Sequence, residues 1–137
     1  LPDDPGPGPV GTVEAIDDGS VEAVYAVATN PVAGAPDAGA VAENLADAFL
    51  VVQDAHRTET VEYADVVLPA ATWGESDGTA MNMERTVSRV RPATDLPSGV
   101  RTDLDVVRRT ARSEFVDRGP RAGDRVAGRP GIRIGRW

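Results

Sequence analysis

Three short runs rich in β-branched and apolar residues constrain this chain more than any other feature: VEAVYAVA at 21–28, LVVQ at 50–53 and DVVLP at 65–69. None alternates apolar with polar residues as a half-solvated strand does. Near-continuous apolar runs belong to strands covered on both faces, as in a parallel sheet. Each run stops at a strand breaker or a charge: Thr29-Asn30-Pro31 after the first, Asp54 after the second, Pro69 at the end of the third. Pro31 lacks an amide hydrogen and pushes Asn30 out of the helical region, so the chain leaves the sheet there. Between the first two runs, DAGAVAENLADAF (37–49) places Val41, Leu45, Ala48 and Phe49 on one helical face, with Asp37 after Pro36 as the N-cap. Residues 57–64 form a short helix started by Thr58 or Thr60. Strand, helix, strand, short helix, strand calls for right-handed parallel crossovers. The expected fold class is therefore α/β, three-layer, with a small, mostly parallel sheet.

The flanks read differently. Residues 1–20 open with a proline- and glycine-rich linker, followed by a short helix at Val10–Ile16 and the turn Asp17-Asp18-Gly19-Ser20. The expected domain is 21–110. Within it, Trp73–Arg91 reads as either a strand or an extended arm, and a helix is expected from Asp103 to about Thr110. Residues 111–137 hold seven arginines, five glycines and two prolines with almost no apolar periodicity, so they are read as a disordered tail. At 137 residues there is room for one domain. The chain begins with Leu, which is expected of a piece of something longer.

Charge and composition exclude several functions. There are no cysteines, which removes disulfides, thiolate zinc sites, iron–sulfur ligation and a cysteine nucleophile from this stretch. All 14 bases are arginine; residues 1–100 carry 17 acids and 4 arginines, residues 101–137 carry 5 acids and 10 arginines, and the net charge is −8. An acidic, lysine-free surface suits a salt-adapted, halophile-like protein, and a GC-rich genome spells the same bias. No apolar run approaches a membrane span and no signal segment is present, so a cytoplasmic location without a membrane span is expected.

In an open parallel sheet the loops at the carboxyl ends of the strands form the ligand crevice. Thr29 and Asn30 follow the first strand, Gln53 and Asp54 the second, Thr58 comes a turn later, and Trp73–Asp77 lie beyond the third. An ionised Asp54 accepts paired hydrogen bonds from a guanine edge or a ribose diol, each contributing about 1.5–3 kcal/mol. The same residue also serves as a helix cap, and Asn30 before Pro31 also serves as a turn. His56 has no partners that would make it a metal ligand or a catalytic dyad. Glu59, Glu62, Glu75 and Asp77 read as a solvated acidic face. No glycine-rich phosphate loop occurs. No catalytic and no metal-ligating residue is assigned.

The strings ATNPVAGAPDA, LVVQDAHRTETVEYADVVLPAATWGESDGTAMNMERTVSRVRPA and RTDLDVV resemble the molybdopterin oxidoreductase superfamily, in particular assimilatory nitrate reductases and formate dehydrogenase catalytic subunits. The resemblance runs from about Val21 to Val107. It implies a dinucleotide-binding-like topology that holds one guanine-dinucleotide arm of a bis-molybdopterin guanine dinucleotide cofactor. Cofactor contacts are implied for Asn30, Gln53, Asp54, the Thr58 region, Ser76 and Asp103. Ser76 stands where relatives often carry Lys or His. The iron–sulfur cluster, the molybdenum ligand and further cofactor sites are implied for the intact parent, so this chain is inactive alone. Expected partners are the remaining domains of the same enzyme and an electron-transfer partner, not nucleic acid. Loss of relatedness after about Arg109 is what a reading-frame shift produces. Two alternatives are a stand-alone nucleotide-binding or protein-interaction α/β domain and, with less support, a nucleic-acid binder acting through its arginine tail.

Overall fold

The computed structural model describes residues 6–112, together with 133 and 134. Strands β1 (Ala23–Val27), β2 (Phe49–Asp54) and β3 (Val66–Pro69) pair in parallel in that order, as the three apolar runs require. Val27 lies opposite Gln53, and Gln53 opposite Leu68, so the strand ends are level at one rim. Arg133–Ile134 adds a two-residue strand, β6, parallel to β3. Of the expected tail, 113–132 and 135–137 lie outside the described residues.

One face of the sheet carries the dry core. Val24 and Ala26 of β1, Leu50 and Val52 of β2 and Val67 of β3 pack against α1 (Pro9–Asp17), α3 (Ala38–Asp47) and the 3₁₀ segment Glu59–Tyr63. From α3 come Val41, Ala42 and Leu45, with Ala48 just past its end. The Asp37 carboxylate accepts from the Ala40 amide at 3.1 Å, the N-cap expected from its position after Pro36. The helix α1 contributes Ile16 to the core and is tied to α3 by the Asn44 amide donating to the Val13 carbonyl at 3.2 Å. Asp65 fixes the register at the other end of the sheet: its Oδ2 accepts from the Leu50 amide at 2.8 Å, and its own amide donates to the Leu50 carbonyl at 2.8 Å.

Beyond β3 the undecided stretch resolves into an antiparallel hairpin, β4 (Gly78–Met81) with β5 (Val87–Val90). Asn82 makes the turn, its Oδ1 accepting from the amides of Glu84 at 3.0 Å and Thr86 at 2.9 Å. Helix α4 (Asp103–Arg112) follows, with Val106 buried.

Candidate functional site

The carboxyl rim of β1 and β2 is built on a backbone reversal. Ala28 leaves the sheet at φ +48°, a left-handed conformation unusual for a residue with a Cβ, while its amide still donates to the Gln53 carbonyl at 2.9 Å. The chain then places Asn30 over the 3₁₀ segment. Its Oδ1 accepts from the Thr60 hydroxyl at 2.7 Å and the Thr60 amide at 3.3 Å, and its Nδ2 donates to Glu59 Oε2 at 2.7 Å. Thr60 is fully buried and its hydroxyl accepts in turn from the Val32 amide at 3.2 Å. Asn30 thus clamps the short helix α2 (Pro31–Gly34) to the loop after β2, with both ends of its amide engaged inside the protein. The Asn30 amide, with help from a backbone N–H, holds the Glu59 carboxyl below the usual glutamate range.

Asp54 lies on the same rim, half-buried. Its Oδ1 closes a turn by accepting from the His56 amide at 2.8 Å, and among the described residues its other oxygen has no partner. Thr58, two residues beyond His56, keeps a hydroxyl that is buried and unpartnered, the one such side-chain atom among the described residues. A buried hydroxyl left without a bond is costly, by about 1–3 kcal/mol, unless another group completes it.

Strand alternation sends Gln53 to the opposite face from Asp54. Gln53 is fully buried; its Oε1 accepts from the Tyr25 hydroxyl and its Nε2 donates to Asp103 Oδ1 at 2.6 Å. Burial, and then the Asp103 carboxylate, raise the Tyr25 phenol above its ordinary pKa. Asp103 opens α4 and lines a cavity of about 220 Å³ together with Trp73, Ser76 and Asp77. The Ser76 hydroxyl donates to the Thr72 carbonyl at 2.9 Å. Arg89 of β5 grips both Asp77 oxygens, at 2.9 and 2.7 Å. Trp73 stands 78% exposed at this cavity, an open aromatic surface.

The six residues singled out in the sequence therefore fall into two groups. Asn30, Asp54 and Thr58 gather at the rim beside the 3₁₀ segment; Ser76 and Asp103 line the cavity, with Gln53 buried behind Asp103. Sequence reading named Thr60 only as a helix start and not as the buried partner of Asn30, and it missed Tyr25, the donor to Gln53. The T-x-T spacing signalled the first. For Tyr25 the sole signal is a polar tip inside an apolar strand, and its partner follows only from strand register. Among the described residues no group of His, Cys, Asp or Glu is arranged to hold a metal ion, and no helix is long and apolar enough to cross a membrane.

In open parallel α/β sheets ligands lie at the carboxyl ends of the strands, and this sheet presents Asn30, Asp54 and Thr58 at that rim, with a cavity beyond β3. Its sequence places it further: the Molybdopterin oxidoreductase family model matches residues 1–112, and the chain belongs to that family, whose cofactor is a molybdenum pterin. It is 68% identical over 107 residues to an assimilatory nitrate reductase of Haloferax mediterranei, covering 78% of this chain and 14% of that protein. It is 41% identical over 93 residues to the F420-dependent formate dehydrogenase subunit alpha of Methanocaldococcus jannaschii (67% and 14%), and 41% identical over 101 residues to a nitrate reductase of Klebsiella oxytoca (72% and 12%). The chain thus spans about one seventh of the length of these oxidoreductases, as expected for a part of a larger enzyme.

Proposed function

We propose that this chain is the segment of a molybdenum oxidoreductase that holds a guanine-dinucleotide arm of a bis-molybdopterin cofactor, and that the parent is an assimilatory nitrate reductase. The 68% identity over 107 residues to one nitrate reductase, against 54% over 63 residues and 41% over 93 residues to formate dehydrogenase subunits, favours nitrate over formate. The observation that carries the cofactor reading is the Thr58 hydroxyl: a buried polar atom without a partner among the described residues, one loop away from a carboxylate oxygen of Asp54 that is likewise unpaired among them. A bound nucleotide supplies the missing bonds. The residues present fit such a group, and Asp54, Thr58, Ser76 and Asp103 would hold it. The metal on the pterin supplies the redox chemistry when the cofactor is bound. This chain's residues bind and orient: carboxylates accept from N–H and O–H donors, and Asn30 stiffens the rim from within. The iron–sulfur cluster and the electron-transfer partner belong to the rest of the parent, in the cytoplasm.

Calorimetric titration of the 137-residue chain with GDP tests the reading. Binding is expected for GDP and not for ADP, and Asp54→Asn and Thr58→Val should each weaken it about tenfold, the cost of one lost hydrogen bond to a charged or buried partner. Equal affinity for ADP, or GDP binding that ignores both substitutions, overturns it.

A further inference from the structure

We propose that Tyr25 is a positioning residue, which acts through the buried amide of Gln53 to fix the orientation of the Asp103 carboxylate at the mouth of the cavity. The inference rests on the nucleotide reading above and deepens it, by naming what holds one of the carboxylates ready.

The direction of the chain of hydrogen bonds follows from what each group can do. An ionised Asp103 only accepts, so Gln53 must turn its Nε2 toward it. That leaves Oε1 facing Tyr25, and the phenol must donate. Gln53 has no exposed surface, so no water substitutes for either partner from its side. The amide therefore has one satisfied orientation, set by the acceptor-only carboxylate and completed by Tyr25, which supplies the donor that the buried Oε1 requires. With Tyr25 absent, Oε1 is left buried without a donor, and the flipped amide would set oxygen against the carboxylate. With it present, Asp103 Oδ1 is pinned, and the carboxylate presents an acceptor of fixed aim beside Trp73 and Ser76. A fixed acceptor suits a ligand edge with donors side by side, as on guanine, and repels one that presents a lone pair. Tyr25 itself is 42% exposed on the edge strand and lines no part of the cavity, so its effect reaches the ligand only through Gln53.

The test uses the 137-residue chain with Tyr63→Phe as background, so that Tyr25 is the remaining tyrosine. Phenolate absorbance is followed against pH with and without Asp103→Asn. Removing the carboxylate's charge should lower the Tyr25 pKa toward its ordinary value; an unchanged titration overturns the proposal. In parallel, GDP affinity is measured for Tyr25→Phe, Asp103→Asn and the double variant. Tyr25→Phe should weaken binding about tenfold alone and not further once Asp103 is changed. Equal losses in both backgrounds, with the far-ultraviolet spectrum intact, overturn it as well. If the parent background binds no GDP, the nucleotide reading falls and the Tyr25 proposal, which rests on it, falls with it, whereas an unchanged phenol titration overturns the Tyr25–Asp103 link alone.

Discussion

On one side of β2, Leu50 and Val52 are completely buried among aliphatic side chains from α3 and the 3₁₀ segment; on the other, Gln53 is just as completely buried but meets a phenol and a carboxylate. The same strand thus carries two kinds of interior. The first is held by area removed from water, without direction, and a methyl lost there leaves a hole. The second is held by three groups whose donors and acceptors must match, and its reward is orientation rather than stability. The cavity lies beside the second interior, where α4 meets the strand through its first residue, Asp103, bonded to Gln53.

The largest break in this comparison comes from Leu50→Ala, which should lower stability by about 2–5 kcal/mol in urea unfolding, as for any buried leucine that loses its packing. Gln53→Leu keeps the volume and removes the directed bonds; Tyr25 and Asp103 then turn to solvent, so a loss of about 1–2 kcal/mol is expected, together with the loss of the Tyr25–Asp103 coupling. A Gln53→Leu protein as unstable as Leu50→Ala would show that the polar face supports the fold as much as the dry one. Asp37→Ala, which strips the cap of the helix that builds the dry face, should cost about 1 kcal/mol. Ala28→Gly relieves the left-handed turn that leads from the dry strand to the rim, and should raise stability by about 0.5 kcal/mol in the same assay, the net of strain relieved and chain entropy added. The smallest effect is on pH. Because the folded Glu59 carboxyl titrates below its unfolded value, its contribution is present above the unfolded pKa and is lost as pH falls through the folded one. Stability should therefore decline over that acid range, and Glu59→Gln should flatten the decline.

Much of the architecture could be read from residue order because it depends on local, short-range preferences. β-branched runs end where Asn30-Pro31, Asp54 and Pro69 end them, Asp37 caps the helix it precedes, and Val41 and Leu45 face the core at helical spacing. The hairpin was less legible, since Val87 and Val90 sit among charges and its turn depends on the Asn82 side chain rather than on an Asn-Gly or Asp-Gly pair.

The candidate site divides along the same line. Its residues were found because polar side chains at strand ends stand out against apolar runs, and because their spacing resembles a family's. What each one touches was decided elsewhere. Register set Tyr25 diagonal to Gln53, the pleat sent Gln53 and Asp54 to opposite faces, and a contact thirty residues apart in sequence spent the Asn30 amide on Thr60. Residue order fixes periodicity and breaks, which act over a few bonds; which donor meets which acceptor is settled only when distant segments pack, because a hydrogen bond depends on distance and angle and not on position along the chain.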